Sequence, residues 1–272
     1  TIPHMNRKYI HNIYFLKFPI NHQQRMADFL DKKVTDIDHI ITKTQASIEE
    51  YKRYKQSIIT EAVTKGLDPN VPMKDSGIEW IGEIPEHWEV IKLKHLGNTR
   101  SGLSNKKPED FGFGFPFITY KNIYNNYALD ETFTDLVNST DEDRNKCNVM
   151  RGDAFFTGSS ETIEELGLSS VCLNTIKSAT FNGFCIRFRP SNLDKLLPEY
   201  IMYYFRSQAT REHLIRNDNS ITRANLSQKI LGSLKVIIPP LSEQKKLATY
   251  LSNMSGIIQQ TLDNKQNLIN NL

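Results

Sequence analysis

The stretch "FPINHQQRMADFL", Phe18 to Leu30, returns 221 positions later as "PPLSEQKKLATYL", Pro239 to Leu251. At that single offset Pro19 matches Pro240, Gln23 matches Gln244, Ala27 matches Ala248 and Leu30 matches Leu251, and the identities continue through Ile37/Ile258, Gln45/Gln266 and Ile48/Ile269. Asn21 and Ser242 fall opposite each other. Each offers a side-chain oxygen to the first free N–H groups of a helix, so both are expected as N-caps. Downstream, a mostly apolar seam steps by three and four as Ala27, Leu30, Val34, Ile37, Ile41, Thr44, Ile48 and Tyr51, and again as Ala248, Leu251, Ser255, Ile258, Leu262, Lys265, Ile269 and Leu272. The first helix is expected from about 22 to 65, closing on Lys65-Gly66 with Pro69 beyond. At 1.5 Å per residue it is roughly 65 Å long, and a narrow seam of that length is stable only when paired. The expected partner is its own repeat, in an antiparallel coiled coil, because the chain between them must leave one end of the pair and return to it.

Ahead of each cap stands a short run rich in β-branched and aromatic residues and stopped by proline, "IYFLKFPI" (13–20) and "LKVIIPPL" (234–241). The second closes a domain; the first is expected to be the last strand of an upstream one. The run "GLDPNVPMKDSGIEWIGE", rich in Gly, Pro and Asp, reads as a linker. The boundaries expected are therefore 1–20 as a remnant strand, 21–66 as the first long helix, 67–79 as linker, 80–240 as a domain and 241–272 as the second helix. Within 80–240 the strand candidates are 88–97, 115–123, 153–158, 169–173 and 183–190, with a helix at 198–215 opened by Pro198. The fold class is α+β: one mixed α/β domain flanked by two long helices.

Charge is segregated. The net charge is only +3, yet 91–121 holds six cations against two carboxylates, 201–235 the same, and 130–165 ten carboxylates against three cations. Such a chain can turn one basic face to phosphates, or carry opposite charges on solvated faces. No apolar run approaches the roughly 18 residues of a membrane helix. Cys147, Cys172 and Cys185 form no paired framework or metal-type spacing, and the N-terminus lacks a signal-peptide pattern. A cytoplasmic protein with buried thiols is expected.

The residues 66–97, "GLDPNVPMKDSGIEWIGEIPEHWEVIKLKHLG", and "IIPPLSEQKKLATYL" resemble the specificity subunit of Type I restriction-modification systems. "FITYKNI" (117–123), "RGDAFFTGSSET" (151–162) and "SITRANLSQKI" (220–230) are similar to interior patches of its target recognition domain. That family alternates two recognition domains with two conserved helices, whereas this chain has one such domain between both helices. The resemblance implies sequence-specific recognition of one half of a bipartite double-stranded DNA target, with methyltransferase subunits docked on the helices and a restriction subunit in the complex. It implies no catalytic centre here; S-adenosylmethionine, ATP and Mg are expected in partner subunits. Two copies, as a homodimer through the helices, would restore a second reader.

Catalytic motifs were sought on their own terms. "FGFGF" (111–115) has the glycines of a cofactor loop, but the Pro-Pro-aromatic motif of an adenine methyltransferase is missing, and it reads as a plain loop. No P-loop exists, and the histidines hold no metal-ligand spacing. A methyltransferase acting alone and a coiled-coil adaptor without DNA function are the competing readings. What remains is binding chemistry: Arg or Lys to guanine, Asn or Gln to adenine, hydroxyls to either, and cations or amides to phosphate. The loop "NTRSGLSNKK" offers Arg100, Ser101, Lys106 and Lys107; "TYKN" adds Tyr120, Lys121 and Asn122; "TGSS" adds Thr157, Ser159 and Ser160; "SITRAN" adds Thr222, Arg223 and Asn225. These are the expected DNA contacts.

Overall fold

The computed structural model describes residues 14, 16–132, 135–160, 165–216 and 224–272. In chain order the elements are α1 (Ile20–Lys65), β1 (Met73–Asp75), β2 (Glu83–Pro85), β3 (Glu89–Lys92), β4 (Gly97–Ser101), β5 (Phe111–Ile118), α2 (Tyr120–Asn125), β6 (Ala128–Leu129) and β7 (Leu136–Val137). They continue with α3 (Asp141–Lys146), β8 (Ala154–Thr157), β9 (Ser159–Ser160), β10 (Ser169–Cys172), β11 (Thr180–Phe181) and β12 (Cys185–Pro190). The chain closes with α4 (Pro198–Tyr204), α5 (Gln208–Arg216), β13 (Ala224–Asn225), α6 (Gln228–Ser233), β14 (Lys235–Ile238) and α7 (Leu241–Asn270). By its contacts the chain divides into two units: the outer parts of α1 and α7, with Thr1–Tyr51 and Thr261–Leu272, and the segment Lys52–Gln260.

Both helix caps lie two residues earlier than expected, at Pro19 and Pro240 instead of Asn21 and Ser242, and for the same reason. The carbonyl of Pro19 accepts from the amides of His22 (2.9 Å) and Gln23 (3.1 Å), and that of Pro240 from Glu243 (2.9 Å) and Gln244 (3.0 Å). The prolines hold the capping position, and Asn21 and Ser242 sit inside the first turn instead of capping it. The end of each cap is closed by the repeated glutamine. Gln23 Nε2 donates to the Phe18 carbonyl at 2.6 Å, and Gln244 Nε2 to the Pro239 carbonyl at 2.9 Å. Of "IYFLKFPI", Tyr14 and Leu16–Pro19 are described and form no strand, since an extended segment needs a ladder to join; the remaining residues of the expected 1–20 remnant lie outside the described residues, save Ile20, which opens α1.

In the outer unit Thr44 and Ile48 are buried, and the Lys265 ammonium stands 5.4 Å from the centre of the Tyr51 ring. The seam is not closed along its whole length: Met26, Leu30 and Val34 are half or more exposed.

The segment Lys52–Gln260 holds the core. A five-stranded sheet runs in the order β4-β12-β8-β10-β6, antiparallel except for the β10/β6 pair. Beside it β5 pairs with β11 in parallel and with β7 antiparallel, and β14 closes back on β3. Phe155, Phe156, Phe181, Phe188 and Phe205 are fully buried and meet edge to face, Phe156 and Phe205 at 5.1 Å. Tyr200 and Tyr204 are buried too, and their hydroxyls are satisfied by the backbone of β14 at Ile237 and Lys235, each at 3.1 Å. Burial pushes the thiols of Cys172 and Cys185 up to about 12, so they pack as small apolar groups.

Several sequence expectations shift. Met73–Asp75 pairs with Glu83–Pro85, so part of the expected 67–79 linker is already a β-hairpin of the domain. The expected strand 115–123 stops at Ile118, because Thr119 caps α2 through a reciprocal bond with Asn122. The expected helix 198–215 breaks after Tyr204. Its carbonyl is taken by the hydroxyls of Ser207 and Thr210, at 2.6 and 2.8 Å, and Ser207 starts α5 anew. "FGFGF" is strand β5 rather than a loop, bulged where Gly112 and Gly114 take φ of +95° and +96°.

Candidate nucleic-acid interface

The loops expected to read DNA come from four separate stretches, and the sheet brings parts of them together. β4 is an edge of the large sheet and presents Arg100 and Ser101, opposite Arg187 and Ile186 of β12. β9 continues from β8 after Gly158 and pairs with β13, setting Ser159 against Asn225. Ser227 then caps α6 through the amide of Ile230 at 3.1 Å, which places Gln228 at the first helical position. Gln228 bridges back to β4: its Nε2 donates to the Ser101 hydroxyl at 3.2 Å and its Oε1 accepts from Thr99 at 3.0 Å. Ser101, Ser159, Asn225 and Gln228 thus line one open cleft of about 450 Å³, with Phe184 on its rim.

The other expected contacts divide by what already holds them. Arg100 is exposed and donates to the Lys146 carbonyl at 2.9 Å, leaving part of its guanidinium fork facing outward. Lys107 is exposed, its ammonium 4.0 Å from Glu109, and Lys121 is exposed on α2. Lys106 is committed: it donates to the Asn138 carbonyl at 2.7 Å and to Asp143 at 2.8 Å, and that bond holds the Asp143 carboxyl below its usual range. Asn122 is spent on capping α2, and the Tyr120 hydroxyl donates to the Ser159 carbonyl at 3.1 Å. Thr157 is fully buried with its hydroxyl on the Glu165 carbonyl at 3.0 Å, so it supports the cleft floor and presents no edge to a ligand. Thr222 and Arg223 lie outside the described residues, as does the side chain of Ser160.

The basic windows counted along the sequence do not add up to one basic face. Arg206, in the second window, is half-buried and donates to the carbonyls of Ile123 (2.7 Å), Tyr124 (2.9 Å), Asn126 (2.7 Å) and Ser169, and loss of water around it lowers its pKa to about 10. It caps the C-terminus of α2, where a cation meets the free carbonyls. Arg189 of β12 grips the fully buried Asp153, the last residue of the "RGD" at 151–153, with two bonds of 2.6 Å, a structural pair. The acidic stretch likewise has a local use, since Asp141, Glu142 and Asp143 fill the first turn of α3. Among the described residues no group of three or more His, Cys, Asp or Glu could hold a metal ion, and no helix is long and apolar enough to cross a membrane.

Of the cleft residues that sequence reasoning missed, Gln228 and Phe184 bear most on binding. Gln228 lies three residues beyond Asn225 in the quoted "SITRANLSQKI" and was within reach of the same argument. Phe184 was not, because the search was for polar readers.

Known proteins agree with this architecture. The sequence model described as Type I restriction modification DNA specificity domain matches residues 85–271. The chain is 26% identical over 266 residues to the Type I restriction enzyme MjaVIII specificity subunit of Methanocaldococcus jannaschii, covering 95% of this chain and 59% of that one. It is 22% identical over 262 residues to the EcoKI specificity subunit of Escherichia coli K12, covering 93% and 54%. In fold it is similar to the HsdS subunit from Thermoanaerobacter tengcongensis, with a TM-score of 0.52 at 15% identity, over 92% of this chain and 54% of that one. A chain from a type I R-M system studied for complex assembly and conformational transition superimposes with a TM-score of 0.67, again at 15% identity, over 93% and 56%. The chain thus spans little more than half the length of these relatives. With well over half of its residues matched by the family's own sequence pattern, the chain belongs to the Type I restriction modification DNA specificity domain family.

Proposed function

We propose that this chain reads one half of a bipartite DNA target as part of a Type I specificity subunit. The observation that carries the reading is the convergence of Ser101, Ser159, Asn225 and Gln228, from β4, β9, β13 and α6, on one cleft. Amides and hydroxyls are the groups that pair with adenine and with either base edge, and Arg100, Lys107 and Lys121, which are exposed, are the cations proposed to hold phosphates. The cations add affinity without sequence information.

The two helices serve as spacer and dock. At 46 residues α1 spans about 69 Å, two turns of B-DNA at about 34 Å each. Helix length would then fix the spacing between half-sites. Pairing of the two helices is supported by the Lys265 and Tyr51 contact in the outer unit. Methyltransferase subunits dock on the helices and bring S-adenosylmethionine; a restriction subunit brings ATP hydrolysis and, with Mg, cleavage. The chain itself is non-catalytic and works in the cytoplasm. The second reader comes from a second copy in a homodimer: Met26, Phe29, Leu30 and Val34 of α1 form an exposed apolar stripe, with the Lys33 ammonium 5.7 Å from the centre of the Phe29 ring.

The test is footprinting of the full chain with its methyltransferase subunit. A protected, defined half-site is expected, with log affinity falling against log salt with a slope of about −3, one unit per phosphate-holding cation. Protection without sequence preference contradicts the reading. Light scattering separates the dimer question, where a monomer at micromolar concentration removes the homodimer and leaves the half-site reading standing.

A further inference from the structure

Phe184 is the most exposed phenylalanine among the described residues, at 72%, and it stands at the rim of the polar cleft. Leaving a ring of this size in water forgoes the stabilisation of burying it, so its position calls for a reason. The backbone beneath it is fixed from both sides. The Phe184 amide donates to Asn182 Oδ1 at 2.8 Å, and its carbonyl accepts from the Gly158 amide at 2.8 Å. Two close approaches make this possible: a Cβ on Gly158 would stand 2.6 Å from the Phe184 carbonyl oxygen, and one on Gly183 would stand 2.5 Å from that of Leu103. The turn cannot fold back to bury the ring. It is a rigid mount that holds an apolar group outward among amides and hydroxyls.

In the major groove one base feature is apolar, the 5-methyl group of thymine. Asn225, Gln228 and the serines can pair with adenine but cannot sense that methyl, and of the apolar residues lining the cleft Ile186 and Leu226 are buried, which leaves Phe184 as the exposed one. We propose that Phe184 is a specificity-determining residue that contacts the 5-methyl of a thymine in the major groove, a proposal that rests on the cleft being the DNA interface. The alternative use of an exposed ring, as a wedge between base steps, belongs to minor-groove sites furnished with cations. Among the described residues the lining of this cleft carries none.

The experiment takes the duplex that the wild-type full chain selects from a random pool, and replaces each thymine singly by deoxyuridine. For the wild type, one replacement is expected to weaken binding about fourfold, the worth of one buried methyl at ~0.8 kcal/mol. Phe184→Ala is expected to bind the thymine duplex about tenfold more weakly and to lose the distinction at that one position, while Phe184→Leu keeps part of it. Because the ring is exposed, both variants should melt as the wild type does. The proposal is overturned by a selected sequence without thymine, by unchanged discrimination in Phe184→Ala, or by equal weakening on thymine and deoxyuridine duplexes, the mark of a wedge. Selection of no sequence at all removes the DNA reading itself, a result distinct from each of these.

Discussion

The two helix starts repeat the same bonds in opposite surroundings. Gln23 and Gln244 each reach back five residues to a backbone carbonyl, over a proline that caps the first turn. Yet Gln244 is buried and also holds the Leu197 amide at 2.9 Å and the Lys195 carbonyl at 3.0 Å, whereas Gln23 is exposed and holds nothing further that is described. Leu251 is fully buried and Leu30 is 57% exposed. The motif is therefore a complete local device, and its burial is supplied by a domain packed ahead of it. At the second copy that cover is the backbone at positions 195–197.

This contrast gives its own tests, beginning with the largest effect. Leu251→Ala should cost ~3 kcal/mol of stability in denaturant titration, because it opens a cavity, and Leu30→Ala less than ~0.5 when the titration is run dilute enough that the chain is a single copy. Equal costs would break the comparison by showing that the first copy is covered in solution. Gln244→Ala should cost ~2 kcal/mol, since it strands a buried amide and two carbonyls, against ~0.5 for Gln23→Ala, which loses one exposed bond. A smaller effect follows from the thiols, which belong to the Lys52–Gln260 unit alone. Burial raises Cys172 and Cys185 to about 12 in the folded protein, while unfolded thiols ionise near 9. The unfolded state thus holds fewer protons between those values, so stability is intact below about pH 9 and falls as pH rises towards 12, by on the order of 1 kcal/mol between pH 8 and 9.5. Amide exchange should report that loss in Lys52–Gln260, and a Cys172→Ala/Cys185→Ala double variant should flatten it.

The legible part of this protein was the part with local causes. The repeat, the Lys65-Gly66 stop and the strand before Pro239 could be read because proline, glycine and cap chemistry act within a few residues. The break of the 198–215 helix could not, since it depends on whether the Ser207 and Thr210 hydroxyls take the Tyr204 carbonyl or face solvent. Charge counting failed for a similar reason. Arg206 and Lys106 contribute to basic windows in sequence, but in the fold one caps a helix and the other is paired to Asp143. In the cleft, Ser101, Ser159 and Asn225 were foreseen as chemistry, but their meeting depends on the order β4-β12-β8 and on the β9/β13 pair, which no spacing rule encodes. Phe184 was invisible because an exposed ring is recognised as unusual only once the fold shows it unburied.

The central claim, that this cleft reads DNA sequence, is tested most directly by selection from a random duplex pool, run in parallel with the wild type and with Asn225→Ala/Gln228→Ala. The account predicts a short consensus for the wild type and, for the variant, loss of preference at one or two adenine-containing positions with the rest retained. A wild-type consensus that the variant reproduces unchanged would contradict it.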